Sequence, residues 1–136
     1  VITALASTFL FVHGLVHLAV WRPRASTARP FNPRHSWALA WTGLPWAGGG
    51  SPGRAQPLPG EDMAAVCLAS ITAMLYVIAG AATAAQSGGR ADAAVLAATV
   101  GLLLKALWFH PWLSLGVLLD IGVIATVALS WPGSLY

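Results

Sequence analysis

Hydrophobic positions along the chain gather into four long runs, at about 1–20, 63–85, 93–109 and 112–131, separated by two short polar breaks and one long one. Each run approaches or reaches the roughly 17 to 25 apolar residues that an α-helix needs to cross a hydrocarbon core of about 30 Å. The pattern predicts an all-α integral membrane protein, a bundle of four transmembrane helices forming a single membrane domain over 1–136. The first run lacks a basic stretch ahead of it and is followed by "WRPR" rather than by small residues, so it reads as a retained helix rather than a cleaved signal.

The long break, 21–62, is rich in Pro and Gly and therefore resists regular structure. Inside it, "SWALAWTGLPW" sets Trp37 and Trp41 one helical turn apart behind Ser36, a good capping residue. This predicts a short interfacial helix over 37–46, followed by a flexible linker. The acids Glu61 and Asp62 then suit the start of the second helix, whose N-terminus favours negative charge. In "QSGGRAD", Gly88 and Gly89 fit the end of one helix and Asp92 the cap of the next. In "FHPW", Pro111 fits a helix start.

Composition strengthens the membrane reading. Of 136 residues 57% are hydrophobic and only 8% charged, and the mean hydropathy is +0.73, too little charge for the surface of a soluble domain. The formal charge of +3 raises the question of an anionic partner. Five arginines, Arg22, Arg24, Arg29, Arg34 and Arg54, fall in the long break, where an excess of basic residues records orientation. Lipid is therefore the expected partner and nucleic acid is not. The positive-inside rule places the 21–62 loop and the "FHPW" turn in the cytoplasm and both termini outside. Richness in Ala, Gly, Arg, Pro and Trp suggests a bacterial source, hence a multi-pass protein of the inner membrane. Cys67 is the single cysteine, so no intrachain disulfide is possible.

Four strongly polar residues interrupt the runs: His13, His17, Lys105 and Asp120. At 1.5 Å per residue, His13 lies about 4 Å cytoplasmic of its span's midpoint, His17 about 10 Å, Asp120 about 2 Å and Lys105 roughly 6 Å. All four thus fall in one half of the membrane. His13 and His17 share a helix face with Thr3, Ala6 and Leu10, because steps of three and four align on a helix. Lys105 extends a stripe of small residues, Ala93, Ala97 and Gly101, of the kind that lets helices approach closely. Gly116 sits one turn before Asp120 and leaves room beside it. The second run offers Ala65, Ala69, Ala73, Gly80 and Ala84, with Cys67, Ser70, Thr72 and Tyr76 as milder polar groups.

These residues set the candidate chemistry. A carboxylate at the depth of Asp120 costs on the order of 3 kcal/mol, and such groups face the bundle interior as an ion or proton site, or as a structural pair. Either role predicts contact between His13 and Asp120. With His17, these two make a His, His, carboxylate set of the type that holds zinc, copper or non-haem iron, the alternative being hydrogen bonding between helices. Haem is the other cofactor to weigh, but bis-histidine ligation needs a second histidine from another helix or chain. No cofactor is required by the pattern. Lys105 is expected to snorkel towards the headgroups, His110 to cap the third helix, and His35 to lie in the loop. Trp21, Trp37, Trp41, Trp108, Trp112 and Trp131 are expected as interface anchors.

No phosphate-binding Gly loop, HExxH or Ser-His-Asp set occurs in the sequence. In size and span layout the chain resembles small bacterial membrane proteins such as the DoxX-like group, a likeness of outline that brings no function with it. Two functions follow from the residues. One is a non-enzymatic accessory or structural subunit of a membrane complex, docking on other membrane subunits or on itself, with the His/Asp/Lys cluster lining a proton or ion path. The other is a metal- or haem-binding redox component using His13 and His17.

Overall fold

The computed structural model describes residues 1–21, 61–108 and 111–130, which are helical, with no strand among them. Four helices follow in order: α1 (Ile2–Trp21), α2 (Glu61–Ala84), α3 (Arg90–Leu107) and α4 (Ser114–Ala128), the last preceded by a 3-10 turn at Pro111–Leu113. The chain packs in sequence, α1 on α2, α2 on α3 and α3 on α4. Two segments, Ile2–Trp21 and Met63–Ala84, are long and apolar enough to cross a membrane. The other two differ for different reasons. Helix α3 carries Arg90, Asp92 and Lys105 in 18 residues, and α4 has 15 residues, about 22 Å at a helical rise. The expected interfacial helix at 37–46, with Trp37 and Trp41, lies outside the described residues, as do His35, His110 and Trp131.

Helix ends depart from the sequence reading in instructive ways. The turn after α2 is closed by Gln86, not by Gly88 or Gly89. Gln86 takes a positive φ of 52°, its N–H donates to Thr83 O (3.1 Å), and Ser87 N–H donates to Ala82 O (2.9 Å). This pair of bonds is the Schellman closure, usually reserved for glycine. The Arg90 guanidinium then ties the turn by donating to the carbonyls of Gln86 and Ser87 at 3.1 and 3.0 Å. Helix α3 accordingly begins at Arg90, three residues earlier than expected. Asp92 sits within its first turn and complements the dipole instead of capping it. Pro111 has no N–H to give and opens a 3-10 turn; Ser114 Oγ, donating to Pro111 O (2.7 Å), marks where α4 proper starts.

The interior is rich in small and polar side chains, and many of the large apolar ones point outward. Ala65, Ala69, Ala73, Ala79, Ala97 and Ala98 are all buried, whereas Leu5, Leu15, Met74, Leu96, Leu115 and Leu118 are exposed. Two apolar clusters form inside. One groups Leu10, Tyr76, Ala79, Ala97 and Val123; the other groups Trp21, Ala65, Ala69, Leu104, Trp108 and Leu113. Along α1, His13 and His17 lie between Leu10 of the first and Trp21 of the second. Close approach of α1 and α2 depends on Gly14, where a Cβ would stand 2.9 Å from Tyr76 Cβ and 3.1 Å from Ala73 O.

Trp21 and Trp108 do end their helices, but they are not outward anchors. They are 1% and 4% exposed and meet edge to face with ring centroids 6.3 Å apart. Small neighbours, Ala65 and Ala69, leave an inward space that the two indoles fill together with Leu104 and Leu113. Trp112 falls in the 3-10 turn. Cys67 is exposed on the outer side of α2.

Candidate functional site

Between the two apolar clusters the four helices each contribute to one buried polar centre. Helix α1 supplies His13 and His17, α2 supplies Tyr76, α3 supplies Lys105, and α4 supplies Asp120. Asp120 is fully buried (0% exposed) and is the hub. Its Oδ1 accepts from His13 Nε2–H (2.8 Å) and from the Tyr76 hydroxyl (2.6 Å). Its Oδ2 accepts from Lys105 Nζ (2.6 Å). As the carboxylate beside the Lys105 ammonium, Asp120 has three of its roughly four lone-pair positions filled.

The same accounting assigns the other groups. His17 Nδ1 lies 2.9 Å from the carbonyl oxygen of His13. A carbonyl cannot donate, so Nδ1 carries the hydrogen. Nε2, 2.8 Å from Lys105 Nζ, then accepts from the ammonium. Lys105 directs its third hydrogen to Gly101 O at 3.5 Å, a weak contact. The Lys105 ammonium and the Asp120 carboxylate pair at 2.6 Å, and His17 accepting at Nε2 is the neutral ring. Such a network is held firmly only when its members are satisfied together.

Glycines shape the space around this centre. A Cβ on Gly101 would lie 2.6 Å from Asp120 Oδ2, and one on Gly116 would lie 2.6 Å from Lys105 Cε. The sequence reading gave Gly116 the task of making room for the carboxylate. In the structure Gly101 does that, and Gly116 makes room for the lysine stem. Aromatic rings close the remaining sides. Phe9 stacks on His13 with centroids 5.6 Å apart, and Tyr76 meets His13 edge to face at 4.7 Å. Phe9 also lines a mostly apolar groove of about 540 Å³ between α1, α3 and α4, together with Leu10, Ala94, Leu118 and Val123, with Arg90 and Thr83 among its polar residues.

The structure thus brings together His13, His17, Lys105 and Asp120, and it adds Tyr76. Lys105 differs from its expected snorkelling pose: it is 3% exposed and turned inward, where Asp120 Oδ2 and His17 Nε2 accept from it at 2.6 and 2.8 Å. Tyr76 was legible only indirectly. It is the one bulky residue in a stripe of small ones between Ala73 and Gly80, and a large side chain in such a stripe has to fill a prepared space. The ligand-type atoms of His13, His17 and Asp120 lie within 4.8 Å of one another. Haem finds no such match: both histidines lie on α1, and among the described residues no histidine from another helix faces them.

No family model, curated protein or solved structure matches this chain. Its functional reading therefore rests on the site itself.

Proposed function

We propose that the chain is a four-span protein of a bacterial inner membrane, with its long loop cytoplasmic, acting as a non-enzymatic accessory or structural subunit of a membrane complex. The observation that carries this reading is the inverted distribution of side chains around a satisfied polar centre. Alanines, a few large side chains such as Leu104 and Trp21, and one charged pair are inside, while most of the leucines and isoleucines and both methionines cover the outside. In water an apolar exterior of this extent would drive association; in lipid it is the ordinary surface. Helix hydroxyls support the same environment. Thr72, Thr99 and Ser70 each donate to the carbonyl four residues earlier at 2.8 Å, leaving no need for solvent.

Within that bundle the cluster acts as an internal lock. One carboxylate receives donors from the three other helices, so sliding or rotating any of them breaks a charge-assisted bond. A second reading, a proton path, has one observation in its favour. Tyr76, Asp120, Lys105, His17 and His13 are linked side chain to side chain by bonds of 2.6 to 2.8 Å, as proton relays in membranes require.

Extraction in mild detergent followed by native mass spectrometry tests the subunit reading. It expects other membrane chains, or further copies of this one, in fixed ratio. A chain that remains a lone monomer contradicts it. Reconstitution with an entrapped pH dye separates the proton path from the lock: only the former gives a flux that Asp120→Asn abolishes.

A further inference from the structure

A cation already sits where the ligand atoms of three side chains converge. His13, His17 and Asp120 each offer one ligand-type atom, all within 4.8 Å of one another, and Lys105 Nζ stands 2.8 Å from His17 Nε2 and 2.6 Å from Asp120 Oδ2. We propose that His13, His17 and Asp120 constitute a binding site for a divalent transition metal of the zinc type, closed by the Lys105 ammonium and opened when that side chain swings out.

Several features of the site support this. Two imidazoles and a carboxylate make a three-ligand set that leaves a fourth position open, a combination zinc accepts. His17 is already oriented as metal-binding histidines are, with its distal N–H held by a backbone carbonyl and its bare nitrogen facing inward. His13 reaches the ligating form by carrying its hydrogen on Nδ1 instead of Nε2. Asp120 keeps Tyr76 as a second partner on Oδ1, which steadies the carboxylate whichever cation is present. Lys105 lies in the last turn of α3, so its four-carbon stem can turn towards the helix end as well as towards the centre. Gly116 leaves the stem's inward path clear.

The proposal shares residues with the lock described above and rests on the cluster being a balanced charge site, but its readout is separate. Lysine and metal compete for one place, so removing the lysine has to strengthen metal binding. The purified chain is titrated with Co²⁺, whose visible d–d bands report four-coordinate geometry, in the wild type, Lys105→Met, Lys105→Gln and the double variant K105M/H17A. Both single variants are expected to bind Co²⁺ at least about tenfold more tightly than the wild type, the inverse of an open-state population of about 10% or less. The double variant is expected to lose the bands. If the single variants lack structure without metal, Co²⁺ restores their helical circular dichroism, since it supplies the missing positive charge beside Asp120. The proposal is overturned if neither variant gives bands that depend on His17, if their affinity does not exceed that of the wild type, or if Co²⁺ leaves unfolded variants unfolded. Loss of association with unchanged Co²⁺ behaviour would instead count against the subunit reading alone.

Discussion

Replacing Asp120 with Asn keeps the shape of the hub and removes its charge. Oδ1 of the amide can still accept from Tyr76 and His13, but the NH₂ group would then face the Lys105 ammonium, donor against donor, at the place where Oδ2 now accepts at 2.6 Å. Lys105 is 3% exposed and would keep only His17 Nε2 and the distant Gly101 O. Breaking one partner of a buried pair leaves an uncompensated charge and costs about 3 to 5 kcal/mol. Removing both charges does not leave that residue of cost. A double-mutant cycle with Asp120→Asn and Lys105→Met, read by reversible denaturant unfolding in micelles, should therefore show strong coupling. The double variant is expected to lose at least about 2 kcal/mol less than the sum of the two single losses, within the range seen for contacting charged groups. Additive losses, or an Asp120→Asn variant within about 1 kcal/mol of the wild type, would refute the reasoning.

Other substitutions probe the packing that holds the hub. Gly14→Ala and Gly101→Ala each place a methyl within 3.0 Å of neighbouring atoms, Tyr76 Cβ and Asp120 Oδ2 respectively. Each should lose about 1 to 3 kcal/mol in the same unfolding assay, the usual cost of overpacking. Gly122→Ala meets nothing within 4 Å on the same kind of helix and should gain up to about 1 kcal/mol from helix propensity. Equal behaviour of the three would contradict the packing assigned here. Tyr76→Phe removes the hydroxyl that donates to Asp120 and should lose about 1.5 to 3 kcal/mol, as for a hydrogen bond to a charged group. A neutral Tyr76→Phe in thermal unfolding would exclude the hydroxyl as a member of the network.

The candidate site was legible where burial is expensive and obscure where direction matters. His13, His17 and Asp120 announced themselves because a polar group inside an apolar run must find a partner, and helical rise alone put His13 level with Asp120. The same arithmetic gave the depth of Lys105 without its rotamer. A lysine one turn from a helix end can point to water or to a carboxylate, and only the arrangement of α1 and α4 around it decides. Tyr76 and the inward turn of Trp21 and Trp108 depend on which small residues face them across helices, information that periodicity along one helix does not carry. The bounds of the helices were legible to within a few residues, but the residue that closes α2 was missed for a local reason. Gln86 adopts the left-handed conformation that Gly88 or Gly89 would have taken more cheaply, because the Arg90 guanidinium secures the carbonyls of that turn.

A lysine–aspartate–histidine centre holds the four helices together, and the bundle around it is proposed to lie in lipid. Solid-state NMR of the uniformly labelled chain in bilayers tests it most directly. The spectra are expected to show a cross-peak between Lys105 Nζ and the Asp120 carboxyl carbon, a second to His17, a His17 ring protonated at Nδ1 only, and side-chain contacts from Leu15 and Leu118 to acyl chains. Lys105 Nζ correlated with water or headgroups instead of Asp120, or Leu15 and Leu118 in contact with water, would contradict it.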